Sequence, residues 1–531
     1  MTRSRFRPLF RPLLLAVMAL SLAAAPALAA GTWNRGNSAD PESLDPHKTS
    51  TVYEAHILRD LFEGLVMQDG TSDLVPGAAE SWTVSDDGTV YTFKIRDDAV
   101  WSNGDPVTAE DFVYSLRRLQ DPATGAEYAS MLYVVKGAEE VNTGKGKPED
   151  LGVRAIDDKT LEITLKAPTP YFLEMLTHQS AYPVHKPSLD TLGAEWIKPG
   201  NLVSNGAFTL TEFVPNDHIK LTKNPTFHAA DTVALDVVNY IPTEDRSTAI
   251  KRFEAGELDS NDDLPTEQLA DLRAKFGDQI KIGPYLGTYY YAVKLDKEPW
   301  ENAKLRRAVS MAIDRDFLAE GVWGGSMIPA YSMVPPGIEG YTPATADYAD
   351  MTQLDREDEA QAILTEFGYG PDKPLKLEIR FNTSENHRNT AVAIQEQLKP
   401  LGIDVTMVNT DTKTHYGLLE QKGDFDYARA GWIADYKDPE SFLGISRKAS
   451  GNNYSNYDSP AFEAAMDAAA AAGSDPAKRL EELAKAEKIL VDDLANMPLL
   501  YYSYHNIVSP KLSGWQENVM DVHPSRYISK N

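Results

Sequence analysis

Within this 531-residue chain, the octet Arg429-Ala430-Gly431-Trp432-Ile433-Ala434-Asp435-Tyr436 carries residue types suited to gripping a small charged molecule. It sets a cation and an anion six residues apart around a Gly-Trp pair. A guanidinium can hold a carboxylate through two parallel N–H bonds, and a carboxylate can accept from a free ammonium. The main chain between them can add neutral hydrogen bonds. A surface ion pair beside a buried tryptophan is the simpler reading of the octet taken alone.

Signatures of catalysis are missing elsewhere. Gly144-Lys145 is followed by Gly146, so no hydroxyl stands where a phosphate-binding loop would need one for magnesium. Neither a G-x-S-x-G elbow nor an H-E-x-x-H helix occurs. His47 and His56 do not have the spacing of a helical ligand pair, and they read as ordinary polar histidines, so no metal or other cofactor is expected. Nothing among the 79 acidic residues singles out a catalytic pair. With no cysteine, the chain has neither a thiol nucleophile nor a disulfide.

The first 29 residues have the form of an export signal. Arg3, Arg5, Arg7 and Arg11 precede an apolar run from Leu13 to Ala25 that is too short to span a bilayer, and Ala27-Leu28-Ala29 has the small-x-small form that signal peptidase cleaves. Removing these 29 residues with their four arginines leaves 502 residues and takes the formal charge from −27 to −31. That acidity argues against a nucleic-acid partner, whose phosphates need basic patches. The lack of a lipidation cysteine and of a later membrane-length segment points to a soluble periplasmic protein. A composition of 42% hydrophobic and 25% charged residues is that of a globular chain. Its length calls for two or three lobes.

Mixed α/β structure is predicted. Ser81–Val84, the Asp87-Gly88 turn and Val90–Ile95 read as a hairpin. Thr108 and Asp111 form a capping box ahead of a helix with Phe112, Val113, Ser115 and Leu116 inward. Ala360, Ile363, Leu364 and Phe367 recur at helical spacing, and Leu375, Leu377, Ile379 and Phe381 alternate as a strand. A helix carrying Ala391, Ile394, Leu398 and Leu401, then a strand at Val405–Val408, complete a βαβ crossover. Asp475 caps a helix that begins at Pro476 and buries Leu483, Ala486, Leu490 and Leu494.

A chain of ordered blocks then resembles the periplasmic oligopeptide-binding proteins of ABC importers. These blocks include Ser43-Leu44-Asp45-Pro46-His47-Lys48, Arg59-Asp60-Leu61-Phe62-Glu63-Gly64-Leu65, Trp101-Ser102-Asn103-Gly104-Asp105-Pro106, Asn205-Gly206-Ala207-Phe208, Tyr285-Leu286-Gly287-Thr288-Tyr289-Tyr290-Tyr291 and the octet itself. The resemblance implies a type II periplasmic-binding-protein-like α/β fold, in which two lobes close on the ligand and an extra lobe is added. Lobe I would comprise 31–62, 187–286 and 504–531, the extra lobe II 63–186, and lobe III 287–503. It implies a monomer that binds short peptides and delivers them to inner-membrane permease subunits, without being an enzyme. Relatives that bind dipeptides, murein peptides or other small solutes are the alternative, and a secreted hydrolase the distant one.

Carried over residue by residue, the resemblance makes Asp435 the receiver of the peptide's α-ammonium, with Arg429 and His387 meeting its carboxylate. Main chain near Val52 and from Gly431 through Trp432 to Ile433 would pair with the ligand in β-strand fashion. Tyr128, Tyr290, Tyr502 and Trp432 match pocket aromatics, each of which can equally be core. The chain departs from the family at Gly287 and Ile433, where a cysteine pair is usual, and at Ser50, Ala292 and Glu420, where enteric members carry charge; ligand preference is expected to differ accordingly.

Overall fold

The computed structural model describes residues 31–126, 128–473 and 475–531, so the expected export signal lies outside the described residues. The strands Ala79–Val84 and Val90–Ile95 pair antiparallel around Gly88, whose φ of +70° suits the tight turn. With Thr160–Thr164 and Val153–Asp157 they form a four-stranded antiparallel sheet. Helix Ala109–Gln120 packs on this sheet. Its start is fixed reciprocally: Asp111 N–H donates to Thr108 Oγ1 at 3.4 Å and Thr108 N–H donates to Asp111 Oδ2 at 2.8 Å. Phe112, Val113, Ser115 and Leu116 are buried as their spacing predicts.

An eleven-stranded mixed sheet organises the rest. Its core is the antiparallel pair Ile280–Val293 and Asn496–Val508. On one side follow Tyr427–Ile433, Leu375–Asn382 and Ile403–Thr410, and on the other Ser260–Asp262, Thr32–Gly36, Val237–Ile241, His218–Lys223 and Phe208–Val214. The short strand Met327–Pro329 adds to Asn496–Val508 off this path. The two long strands run through both halves, and their register slips between Pro284 and Thr288. A β-irregularity there bends the pair and increases its twist.

The crossover predicted from periodicity is present: Leu375–Asn382 and Ile403–Thr410 pair in parallel, joined by helix Glu385–Leu398. Strand alternation sends Tyr289 and Tyr291 to one face of the sheet and Tyr290 to the other, so neighbouring tyrosines enter different core clusters. Helix Pro476–Asp493 is capped by Asp475, which accepts from Lys478 N–H at 3.1 Å, and it covers the Tyr290 face with Leu483, Ala486 and Leu490. Leu494 is buried too, but as the left-handed residue that ends the helix, with φ +47°. Among the described residues no helix is long and apolar enough to cross a membrane.

Candidate functional site

Strand Tyr427–Ile433 positions both charges of the octet. It pairs antiparallel with Ile280–Val293, setting Tyr291 opposite Arg429, Tyr289 opposite Gly431 and Gly287 opposite Ile433. Opposed residues share a face, which places Arg429 against the tyrosine side of the long strand. The Arg429 guanidinium lies 4.9 Å from the centre of the Tyr289 ring. Its Nη1 donates to Tyr416 Oη at 2.8 Å and to Asn382 Oδ1 at 3.3 Å, and its Nη2 donates to Tyr502 Oη at 2.8 Å. Only 8% of Arg429 is exposed, yet no carboxylate among the described residues pairs with it and its Nε has no partner. A buried cation held only by neutral groups is costly, and an incoming anion relieves that cost. Each hydroxyl that accepts from the guanidinium keeps its own proton to donate to the same anion.

Gly431 makes this arrangement possible. A Cβ at that position would lie 2.8 Å from Tyr502 Oη and 3.1 Å from Arg429 Nη2. His387 stands nearby, its ring 5.5 Å from that of Tyr289. Burial, then the Arg429 charge and His415, push His387 down to about 3, so in this state it is a neutral imidazole and not a second cation. His415, fully buried, anchors the arginine's own backbone through Nε2 and the Arg429 carbonyl at 2.8 Å.

Past the end of the strand the chain turns into a cleft. Ala434 N–H donates to the Leu286 carbonyl at 2.8 Å, and Asp435 N–H donates to Ser441 Oγ at 3.2 Å. The Asp435 carboxyl group has no ion-pair partner among the described residues, and burial raises it to about 6. It borders two adjoining cavities. One, of about 410 Å³, is lined by Ser50, Val52, Tyr128, Trp432 and Ile433. The other, of about 370 Å³, is shared with Tyr128, Trp432 and Ser441. Beyond Asp435, Tyr436 stacks on Tyr171 with ring centres 5.1 Å apart, and Lys437 pairs with Asp73 at 2.6 Å.

The expected site residues therefore separate into groups. Ser50, Val52, Tyr128, Trp432, Ile433 and Asp435 converge on the cleft. Arg429, Gly431, Tyr502 and His387 form a second cluster around Tyr289. Tyr290 joins neither: at 1% exposure it packs with Leu286 and Ala430 in the core on the other face. At the positions where a cysteine pair was the family's expectation, Ile433 fills the space over Gly287, where a Cβ would lie 2.5 Å from the Ile433 Cδ1. His47 and His56 are buried and engaged by Tyr182, Arg118 and Asn37. Sequence reasoning missed Tyr416 and Asn382, which hold Arg429. Strand alternation could have flagged Asn382, but Tyr416 carries no such signal.

The model of bacterial extracellular solute-binding proteins, family 5, matches residues 73–454. The chain belongs to this family. Solute-binding relatives of high similarity include the periplasmic oligopeptide-binding protein of Escherichia coli, 40% identical over 91% of this chain and 89% of that protein. Among solved structures, the unliganded open form of a periplasmic murein tripeptide-binding protein superimposes with a TM-score of 0.85 at 36% identity, covering 94% of this chain and 97% of the other. The Haemophilus influenzae oligopeptide-binding protein in complex with the peptide RPPGFSPFR gives a TM-score of 0.77 at 36% identity, covering 94% and 98%. The type II periplasmic-binding-protein fold expected from the resemblance is thus the fold of this chain.

Proposed function

We propose that this family 5 protein is a periplasmic receptor that captures short peptides between closing lobes and hands them to an ABC importer. The observation that carries this reading is a pair of opposite charges without ion-pair partners among the described residues, Arg429 behind tyrosine hydroxyls within strand Tyr427–Ile433 and Asp435 in an open cleft two residues past its end. Six residues at about 3.3 Å each put the poles no more than roughly 20 Å apart, the reach of a short extended peptide. Asp435 takes the α-ammonium; Arg429, with Tyr416 and Tyr502, takes the carboxylate, and neutral His387 adds a hydrogen bond. Main chain from Gly431 to Ile433 and near Val52 pairs with the ligand's backbone, which leaves side chains largely unread.

Lobe I is assigned to 31–62, 187–286 and 504–531, the extra lobe II to 63–186, and lobe III to 287–503. The register slip between Pro284 and Thr288 supports the junction of lobes I and III. Ligand bridging the lobes shifts the receptor toward its closed form by its greater affinity for that form. The receptor carries out no chemistry on its cargo, acts as an exported monomer, and leaves ATP hydrolysis to the permease's partners. Purified protein incubated with mixed tri- to pentapeptides and then denatured should release them intact, as read by mass spectrometry. Cleaved products would identify a hydrolase, and no retained peptide would overturn the receptor reading.

A further inference from the structure

Helix Val52–Leu61 places Val52, Ala55, His56 and Arg59 on one face, through spacings of three, four and seven residues, and all four line the cavity of about 410 Å³ that also holds Asp435. The helix start is secured by a capping box between Thr51 and Glu54, so Arg59 is delivered to the cavity from a fixed element.

The histidines of this cavity and Asp521 are already engaged. His56 meets Asn37 Oδ1 through Nδ1 at 3.1 Å, and burial together with Arg35, Arg59 and His523 keeps it neutral. His178 stacks on Tyr128 and meets Ser180 Oγ through Nδ1 at 2.8 Å. Asp521 accepts from Asn506 Nδ2 at 2.7 Å and from His523 Nε2 at 2.9 Å. Arg59 differs. Its Nε is buried without a hydrogen-bond partner, and no carboxylate of the described residues pairs with it. Its guanidinium hydrogen-bonds the Tyr182 hydroxyl, a neutral partner, and its positive charge is felt by Tyr182, His178 and Tyr285, the last of which also feels Asp435 and Asp521. One cavity thus contains a guanidinium and a carboxylate that do not neutralise each other.

Two uncompensated opposite charges in a shared, partly desolvated space favour a ligand that carries both complements close together. The Arg429 cluster lies too far along the strand to meet such a ligand, and the arginine fork suits a carboxylate rather than a neutral amide. We infer that Arg59 is a second carboxylate reader, which selects ligands whose carboxylate lies within one or two residues of the ammonium held by Asp435. This inference rests on the peptide-receptor reading above. The anion is either an aspartyl or glutamyl side chain at the second residue or the α-carboxylate of a dipeptide.

Calorimetric titration of the ligand-free mature protein with Ala-Asp-Ala, Ala-Asn-Ala and Ala-Ala tests the assignment. Wild-type protein should bind Ala-Asp-Ala about tenfold more tightly than Ala-Asn-Ala, since an ion pair replaces a bond from the guanidinium to a neutral amide. Arg59→Gln should abolish that preference and leave Ala-Asn-Ala within roughly twofold, while Arg59→Lys restores part of it. A loss for Ala-Ala equal to that for Ala-Asp-Ala assigns the site to either carboxylate, and a loss confined to Ala-Asp-Ala assigns it to the side chain. Equal wild-type affinity for the two tripeptides, together with an Ala-Ala affinity unchanged in Arg59→Gln, overturns the inference, as does an equal loss for Ala-Asp-Ala and Ala-Asn-Ala in that variant. Binding of neither tripeptide would instead overturn the peptide-receptor reading itself.

Discussion

At the scale of single residues, the account depends on two charges that lack an ion-pair partner among the described residues. Asp435 is raised to about 6 by burial, whereas an unfolded aspartate titrates near 4. The free folded protein therefore binds this proton more tightly than the unfolded chain. The group's contribution to stability accordingly declines as pH rises between about 4 and 6, the reverse of an ion-paired aspartate. An arriving ammonium favours the charged form and draws the pKa down. Affinity for peptides with a free amino terminus should consequently rise between about pH 5 and 7, with protons released on binding near pH 6. Binding enthalpies measured in buffers of different ionisation heat check this, and buffer-independent values would contradict it. Arg429 makes the complementary prediction. Arg429→Met should weaken a tripeptide with a free carboxylate by about 2–3 kcal/mol and its C-terminal amide by much less, because only the former makes an ion pair with the guanidinium. Equal losses in titration calorimetry would show that the substitution acts through folding.

At the scale of elements, strand register carries the site. The pairing of Gly431 with Tyr289 leaves the space that Tyr502 Oη occupies. Gly431→Ala should therefore cost about 1–3 kcal/mol in urea denaturation by overpacking, and should also weaken free-carboxylate peptides as Tyr502 shifts from Arg429. Unchanged stability and affinity would mean that the tyrosine is not held there. Much of this level was legible in advance. The Asp87-Gly88 hairpin, the caps at Thr108 and Asp475 and the βαβ unit from 375 to 410 all rest on local signals. What was not legible comes from pairings distant in sequence. Nothing near Tyr416 says that it meets Arg429, and nothing near Tyr290 says that its face is core while that of Tyr289 borders the arginine. Arg59 had a local signal, the helical spacing from Val52, but its lack of a carboxylate partner among the described residues became visible only in three dimensions.

At the scale of the whole molecule, the long strands Ile280–Val293 and Asn496–Val508 join the two halves of the large sheet, and the proposed lobe assignment puts relative motion at their slipped register. The contacts of Lys437 with Asp73 and of Tyr436 with Tyr171 tie the segment after Asp435 to residues of the assigned extra lobe. On the proposed site and lobe assignment, ligand at Asp435 would be coupled to lobe position. Solution scattering should record a smaller radius of gyration when a tripeptide is added at saturation, and an unchanged radius would contradict closure. The claim beneath all of this is that a peptide is held by its amino end at Asp435. Calorimetry of Asp435→Asn with a tripeptide and its N-acetylated form tests it most directly. The account predicts a loss of roughly 1.5 to 3 kcal/mol for the free peptide and little change for the acetylated one. Equal losses for the two, or none for the free peptide, would contradict it.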